Sequence, residues 1–289
     1  VYIDHEAYKK TRHKQLALNL YIAAMCREAL APLCRVFDDE NMAVEIEEYG
    51  TKAHQACIDK FWSKEQRTFI NNLPWMEEEK EIRYCDRSLA TAILYNQCPQ
   101  NDYMKSLQIL ETCPKEMGFS YPCNAVWRLW ALSEKGKIDV VLNDLRTRWG
   151  QMTSIWENNV LQEFWVARHD EGSQWSHCAV GPLMMLYQGI AGVVPLSPGS
   201  EKCRIYPQLG TLSHAKFNIQ TVRGEIYFES KGLKGKREVL IDLPSGSEIE
   251  LWLDAREKVK YPSVGETREG LKKYKVEGGQ RIRLHLKYT

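Results

Sequence analysis

The stretch Pro195-Leu196-Ser197-Pro198-Gly199 divides the sequence into two parts that differ in hydrophobic period. Proline and glycine at this density favour a loop. Before it, from about residue 6 to residue 193, apolar residues recur three and four positions apart, as on one face of a helix. After it, apolar and polar residues alternate, as in half-buried strands. The sequence therefore predicts a helical domain over residues 1–196 and a β domain over residues 197–289.

The first part predicts seven helices joined by short connections. In the first helix, Leu16, Leu20 and Ala23 share one face. The acidic run Asp38-Asp39-Glu40 is typical of a helix start and predicts where the second helix begins. The other predicted helices begin at Asp86 or cover residues 102–111, 121–134, 138–149 and 178–191. Helices with short connections pack as antiparallel hairpins, which predicts a closed bundle or part of a helical toroid.

The second part predicts an antiparallel β-sandwich. Alternating segments are separated by turn signals such as Arg223-Gly224 and Gly278-Gly279. The predicted strands cover residues 216–222, 224–229, 238–243, 249–253 and 281–286. Short strands of this kind with tight turns favour two stacked antiparallel sheets. The predicted fold class is therefore mainly α, followed by all-β.

Charge and composition favour a neutral ligand. The 289 residues include 39 lysines and arginines against 38 aspartates and glutamates. This near-neutral balance predicts no general attraction to nucleic acid or to an anionic membrane. No run of about eighteen apolar residues predicts a membrane span. The nine tryptophans and fourteen tyrosines either fill helix interfaces or stack on sugar rings, and the sequence leaves both open.

Nine cysteines without a CxxC pair predict neither a zinc site nor a disulfide framework. Reduced thiols in a reducing compartment are expected, which favours the cytoplasm. The sequence begins with Val1 rather than Met, so we expect it to start within a longer protein. A targeting signal could then precede it, and the localisation stays open. No nucleotide-binding or metalloprotease motif is present, and no metal or cofactor is predicted.

The pair Trp156-Glu157 and the later residues Trp175 and His177 are typical of a sugar-cleaving pocket. Such a pocket needs an apolar face for the ring, a proton acceptor and a polar contact. A carboxylate beside a tryptophan can have its proton affinity tuned for base work, which makes Glu157 the candidate base. Glycosidases usually need a second carboxyl group, and no second candidate stands out. An exposed loop glutamate is the alternative for Glu157.

The remaining candidates each have a structural alternative. His177 either contacts substrate or caps and packs a helix. Trp175 and Trp165 either stack on a sugar or fill the core. Asp86 either accepts a hydroxyl in the pocket or caps its helix. Three further carboxylates lie nearby in the sequence and are typical of solvated loop residues: Glu163, Asp170 and Glu171.

Five motifs in order resemble the bacterial α-L-rhamnosidases of glycoside hydrolase family 78. Residues 146–152 are similar to the family's helix ending in Trp-Gly-x-Met, and Thr153–Glu157 resembles its TT-x-WE motif. His177–Gly181 resembles H-x-A-x-G, and residues 189–199 resemble IAGI-x-P-x-x-PG. Ile205-Tyr206-Pro207 and Gly224-Glu225-Ile226 are similar to the opening strands of the family's C-terminal sandwich. Tyr2-Ile3-Asp4 is weakly similar to the segment FIDW.

The resemblance implies part of an (α/α)6 toroid followed by a small β-sandwich. It implies removal of terminal α-L-rhamnose by an inverting mechanism, with Glu157 as general base and Trp156 and His177 lining the sugar pocket. The family's general acid has no matching position here, so we expect little hydrolysis by this chain alone. Gln174-Trp175-Ser176 departs from the family's Ser-x-Asn.

Expected partners are a rhamnose-containing glycoside and, through exposed helix faces, a second copy of the chain. Two alternatives remain. One is a toroid hydrolase or lyase for another sugar, because a fold does not fix the substrate. The other is a carbohydrate-binding or assembly module that has lost its chemistry.

Overall fold

The computed structural model describes residues 10–176, 178–259, 267–268 and 270–288, and its contacts divide the chain into two compact units. The first unit comprises Val1–Lys135 and Thr147–Gly181, and the second comprises Gly136–Arg146 and Pro182–Thr289. The chain therefore passes between the units after residues 135, 146 and 181. The strands of the two five-stranded sheets all follow the helices, as predicted. The domain boundary between residues 196 and 197 stays a prediction.

The helices follow the predicted order. The α-helices of the described residues are α1 (Gln15–Met25), α2 (Ala31–Val36), α3 (Glu40–Phe61), α4 (Asp86–Leu94), α5 (Met104–Thr112), α6 (Pro122–Glu134), α7 (Ile138–Thr147), α8 (Thr153–Asn158) and α9 (Gly181–Met184). A π-helical turn, Cys26–Leu30, joins α1 to α2. A second one, Met185–Ile190, follows α9, so the predicted helix over residues 178–191 is shorter and changes its winding.

Local signals explain where α3 begins and how it packs. Oδ1 of Asp39 accepts a hydrogen bond from the backbone N–H of Met42 at 3.0 Å, which confirms the predicted acidic helix start. Gly50 lies where α3 passes Cys26, and a Cβ at this position would be 2.7 Å from the Cβ of Cys26. Glycine therefore permits the close approach of the two helices.

The continuous helix Thr11–Val36, with a mean hydropathy of 1.2 in its most apolar window, is long and apolar enough to cross a membrane. It is the single such helix in the described part of the chain. Length and composition are weak evidence, because core helices of soluble proteins pass the same test. Here Leu16, Leu20 and Ala23 are fully buried, and α1 packs on α3 and α4, as a core helix does.

Two small sheets in the first unit were not predicted. Strands β1 (Trp62–Ser63) and β2 (Thr68–Phe69) are antiparallel, and strands β3 (Tyr84–Cys85) and β4 (Met117–Gly118) are parallel. Strand β3 leads directly into α4, and β4 is followed by Ser120 and α6. The parallel pairing therefore holds the N-terminal ends of α4 and α6 side by side.

The second unit contains the predicted sandwich. Its strands are β5 (Val193–Pro195), β6 (Lys202–Ile205), β7 (His214–Thr221), β8 (Gly224–Leu233), β9 (Lys236–Asp242), β10 (Glu248–Asp254), β11 (Glu257–Lys258), β12 (Thr267–Arg268), β13 (Leu271–Glu277) and β14 (Arg281–Tyr288). One sheet has the order β12-β13-β10-β6-β5 and the other β11-β14-β9-β8-β7. All neighbours are antiparallel except β10 and β6. The five predicted strands are all present.

Helix α7 belongs to the same unit as the sandwich. Nη1 of Arg146 donates to Oγ1 of Thr211 at 3.4 Å. A Cβ on Gly210 would lie 2.4 Å from Oδ1 of Asp139, so the chain passes very close to this helix. Gly210 has a φ of +47°, in the region that favours glycine. The helix therefore packs on the segment that connects β6 to β7.

Candidate active site

Helix α8 carries the candidate base and is fixed by the segment that follows it. Its Ser154 is fully buried. The Ser154 hydroxyl donates to the carbonyl of Val160 at 2.9 Å, and its backbone N–H donates to Oε1 of Gln162 at 3.1 Å. Asn159 ends the helix in a left-handed conformation with φ +54°. A helix this short is held by these contacts rather than by its own hydrogen bonds.

Trp156 presents most of its ring to solvent. The residue is 74% exposed, although its Nε1–H donates to the carbonyl of Gly150 at 3.1 Å. Trp175 is also exposed, at 56%. An exposed aromatic ring offers an apolar face on which a sugar ring can stack. Both rings are therefore accessible to solvent.

Glu157 has one carboxylate oxygen held and one left open. Its Oε2 accepts a hydrogen bond from Nε2 of Gln174 at 2.7 Å and lies 3.1 Å from Nδ1 of His169. No donor among the described residues lies within hydrogen-bond distance of Oε1. These bonds, first the one from Gln174 and then the one from His169, lower the pKa of Glu157. The carboxylate is therefore ionised at neutral pH.

Gln174 is the buried member of this cluster. It is 2% exposed, and its Oε1 accepts from Nδ2 of Asn158 at 3.2 Å and from the backbone N–H of Asp170 at 3.1 Å. Because both contacts need an acceptor, the amide can only direct its NH2 group toward Glu157. His169, in contrast, has 83% of its side chain exposed, and its bond to Glu157 raises its pKa.

Trp165 connects α8 to the start of α6. Its Nε1–H donates to the carbonyl of Ser120 at 2.8 Å, and its own carbonyl accepts from Nε2 of Gln162, at 3.1 Å. The ring lies edge-on to Trp149, with centroids 5.1 Å apart, and the guanidinium of Arg148 lies 4.1 Å from its centroid. Trp165 is thus part of the packing beneath α8, which is the core alternative stated above.

Asp86 is buried and fully engaged. It is 1% exposed, its Oδ1 accepts from the Ser120 hydroxyl at 2.8 Å and from the Arg87 backbone N–H at 2.7 Å, and its Oδ2 accepts from the Ser120 N–H at 2.9 Å. Through Ser120 and Trp165, Asp86 is connected to the same framework that supports α8. The carboxylate links the starts of α4 and α6.

The other predicted residues are placed as follows. Glu171 accepts from the backbone N–H of Arg168 at 3.0 Å and from the Ser173 hydroxyl at 3.3 Å, so it holds its own loop together. His177 lies outside the described residues. On its N-terminal side, the Ser176 hydroxyl accepts a hydrogen bond from the backbone N–H of Ala179 at 3.2 Å.

Sequence reasoning missed His169 and Gln174 as partners of Glu157. Gln174 was visible only as a departure from the family's Ser-x-Asn pattern, and His169 lies in a loop without periodicity. Motif matching finds residues that recur in a family, whereas these two contacts depend on how one loop folds back on α8. The signal that was available was the unusual residue itself.

The thiols and possible metal ligands add no further chemistry to the site. All nine cysteines lie in the described part of the chain, and none forms a disulfide. Burial raises the pKa of Cys57 to about 12 and that of Cys98 to about 11, so these thiols are unreactive. No group of three or more His, Cys, Asp or Glu side chains that could hold a metal ion occurs among the described residues.

Comparison with known proteins shows what the chain is similar to. Residues 189–268 match the sequence family described as the bacterial alpha-L-rhamnosidase C-terminal domain. No curated protein matches the chain at a significant level. Three solved α-L-rhamnosidases share its fold: those of Dictyoglomus thermophilum (TM-score 0.76, 17% identity), Streptomyces avermitilis in complex with L-rhamnose (0.73, 16%) and Bacillus sp. GL1, of family 78 (0.67, 19%).

The match extends over most of this chain but only part of each relative. The Dictyoglomus match covers 99% of this chain and 33% of the solved protein. The Streptomyces match covers 98% and 27%, and the Bacillus match covers 82% and 25%. The chain thus spans about a quarter to a third of their length. The predicted fold class, part of a helical toroid followed by a β-sandwich, is confirmed. Residues 189–268 therefore match the bacterial alpha-L-rhamnosidase C-terminal domain, and the chain as a whole is similar in fold to part of each of these solved α-L-rhamnosidases.

Proposed function

We propose that the protein removes terminal α-L-rhamnose from glycosides by an inverting mechanism, and that Glu157 is its general base. One observation carries the proposal: the carboxylate of Glu157 is ionised, held through Oε2 and open at Oε1, and Glu157 directly follows the exposed Trp156 in the sequence. A base must be ionised to accept a proton, and the lowered pKa of Glu157 keeps it so. The family's C-terminal domain over residues 189–268 supports rhamnose as the sugar.

The chemistry assigned to Glu157 is the activation of water. Oε1 takes a proton from a water molecule while the water oxygen bonds to the anomeric carbon, on the face opposite the leaving group. The bond from that carbon to the aglycone oxygen breaks, and a general acid protonates the departing oxygen. In inverting enzymes the two carboxyl groups lie ~6.5–9.5 Å apart, which leaves room for the water. We place the general acid outside the positions of this chain that match the family.

The sugar contacts are assigned to the exposed side of the same cluster. Trp156 and Trp175 offer ring faces for the apolar side of rhamnose, and His177 is kept as the polar contact that the sequence predicts. Asp86 stays a predicted hydroxyl acceptor. A sugar hydroxyl would have to compete with Ser120 for its oxygens, so indirect support through Ser120 is the favoured form of that role.

The experiment is the hydrolysis of an aryl α-L-rhamnoside by the full-length protein that contains this chain. Wild type is compared with Glu157→Gln, which keeps the side-chain size but cannot accept the proton. Glu163→Gln is the matched control, because Glu163 lies in the following loop and its side chain makes no contact with Glu157. NMR of the first product formed reports whether the anomeric configuration is inverted.

We expect Glu157→Gln to lower kcat by about 10²-fold or more, the scale of general base catalysis, and Glu163→Gln to leave it unchanged. Full activity of Glu157→Gln would remove the base assignment. Retention of configuration in the product would overturn the inverting mechanism. If the wild type binds rhamnose without turning over the glycoside, the protein is instead a carbohydrate-binding module.

Self-association is a separate proposal that rests on exposed apolar side chains. Leu33, Val36 and Phe37 at the end of α2 are 52%, 75% and 75% exposed. Contiguous apolar surface of this kind is typical of a contact with another chain. Analytical ultracentrifugation of wild type and Phe37→Ser tests it. A monomeric wild type at micromolar concentration would contradict it.

A further inference from the structure

Gln174 and His169 approach the same oxygen of Glu157 from a single loop, residues 168–174. Resting on the function proposed above, we propose that these two side chains are positioning residues: they fix the Glu157 carboxylate through Oε2, so that Oε1 alone is left to take the proton from water. The pair of side chains is called the clamp.

Gln174 supplies the rigid half of the clamp. It is 2% exposed, and two donors, Nδ2 of Asn158 and the backbone N–H of Asp170, hold its carbonyl oxygen. Asn158 is the neighbour of Glu157 on α8, so Gln174 contacts two consecutive residues at the end of that helix. Because these contacts already fix the orientation of the buried Gln174 amide, its hydrogen bond to the carboxylate costs little conformational entropy. The bond is also charge-assisted.

His169 supplies the half that responds to pH. Its side chain is 83% exposed, so it exchanges protons freely with solvent, and its Nδ1 lies 3.1 Å from Oε2. The charged groups that face it are Glu157 and Asp170, both of which favour its protonated form. Arg168 points to Glu171 instead, with Nε and Oε1 3.8 Å apart. In this part of the described chain, His169 is therefore the group that brings a positive charge to Oε2 when it is protonated.

Gln174 and His169 both lower the pKa of Glu157. Each hydrogen bond stabilises the ionised carboxylate and lowers its proton affinity. Removing either contact is therefore expected to raise the pKa of Glu157 toward its ordinary value. It should also let the carboxylate rotate, so that Oε1 and Oε2 exchange places and fewer collisions with water are productive.

The test uses three variants and two readouts. Gln174→Met keeps the length of the side chain but removes the donor, and His169→Gln keeps a donor but removes the charge. Arg168→Gln is the matched control, because its side chain is 88% exposed beside His169 but does not contact Glu157. The readouts are the ¹³C NMR titration of the Glu157 carboxyl in the protein without substrate, and the pH profile of kcat for an aryl α-L-rhamnoside.

We expect Gln174→Met to raise the titration midpoint of Glu157 and to lower kcat by about tenfold or more, the effect of losing one hydrogen bond to a charged group. KM should change by much less, because the sugar contacts are untouched. His169→Gln should raise the midpoint by a smaller amount and move the acid limb of the pH profile to higher pH. Arg168→Gln should match wild type in both readouts.

The outcomes separate this inference from the base assignment. If Glu157→Gln abolishes hydrolysis while Gln174→Met and His169→Gln match wild type in midpoint, kcat and pH profile, Glu157 is the base and the clamp is wrong. If Glu157→Gln is fully active, both are wrong. Should Gln174→Met fail to fold, His169→Gln decides alone, because an exposed side chain can be replaced without disturbing the core.

Discussion

The guanidinium carbon of Arg87 lies 3.5 Å from the centroid of the Trp127 ring, and Tyr21 lies on a second side at 5.1 Å. Arg87 is 4% exposed, and its Nη1 donates to Oγ1 of Thr91 one helical turn later. Within the described chain it forms no ion pair with a carboxylate at contact distance. Burial lowers its pKa to about 10, so the side chain remains a cation at neutral pH. The faces of the Trp127 and Tyr21 rings stabilise the charge of Arg87, as water or a carboxylate usually does for an arginine.

Trp127→Leu should therefore cost more stability than the lost apolar area explains. A desolvated cation over a tryptophan face is worth about 2 kcal/mol, and leucine is apolar but lacks the charge distribution of the aromatic ring. Urea unfolding measures the effect. Trp130→Leu is the control, since Trp130 contacts Trp127, with centroids 5.4 Å apart, without contacting Arg87. Equal losses in the two variants would show that packing alone stabilises this cluster.

Gly192→Ala should be strongly destabilising. The residue has a φ of +70°, and a Cβ would lie 1.8 Å from the carbonyl oxygen of Tyr206. The left-handed conformation alone costs a non-glycine residue about 1–3 kcal/mol, and the clash with backbone adds to it. Gly172→Ala is the matched control, because a Cβ there meets nothing within 4 Å. Thermal unfolding should separate the two, and a similar melting temperature for both would contradict the strain argument.

Glu257→Ala should destabilise the sandwich by about 3–5 kcal/mol, the scale of breaking a buried ion pair. The side chains of Glu257 and Arg237 are 0% and 4% exposed, with Oε2 and Nη2 3.0 Å apart. The loss would leave the arginine charge without its partner. Replacing both residues by leucine and methionine should cost much less. Glu238→Ala breaks the exposed pair with Arg283 and should cost ~0.2–1 kcal/mol or less by urea unfolding. A small loss for Glu257→Ala would mean that water reaches Arg237.

The pair Glu157–His169 predicts a defined pH window. The pKa of Glu157 is lowered, so its contribution to stability is present above its unfolded pKa of ~4.3 and is lost as the pH falls through the folded value. The pKa of His169 is raised, so its contribution is complete below ~6.5 and is lost as the pH rises through the folded value. The ion pair is thus strongest between about pH 4.3 and 6.5.

NMR titration of His169 checks this window. We expect a midpoint above 6.5 in the wild type and a return toward that ordinary value in Glu157→Gln, because the first cause of the shift is the Glu157 carboxylate. Asp170→Asn should lower the midpoint by less, since Asp170 acts on His169 only through its charge. Identical midpoints in wild type and Glu157→Gln would show that the two side chains are not in contact in solution.

Local signals in the sequence were enough to predict the helices and strands that are long and periodic. Asp39 marked the start of α3, and the alternation of Ile249, Leu251 and Leu253, each 1% exposed, matched the buried face of β10. The pairing of β3 with β4 was beyond such reasoning. Two-residue strands have no period, and their register is set by contacts between residues 33 positions apart, such as Tyr84 and Met117.

The site could be predicted only where its residues stand in a motif. Trp156 and Glu157 are adjacent in the sequence and share a recognisable pattern, so the sequence identifies both as candidates. Gln174 and His169 contact Glu157 from a loop whose path is determined by the turn at Asp170, where φ is +57°. Their positions follow from backbone geometry and from a hydrogen-bond network, neither of which a single sequence displays.

The excursion of the chain into the second unit at α7 has a consequence for synthesis on the ribosome. Gly136–Arg146 emerges before Thr147–Gly181, which completes the first unit, and long before the segment between β6 and β7 on which α7 packs. Domains form as units from the N-terminus during translation. Helix α7 therefore remains without its packing partners while the residues that complete the first unit are synthesised. Its apolar face is then the surface that a nascent-chain chaperone would meet, and the pace of translation after residue 146 sets how long that exposure lasts.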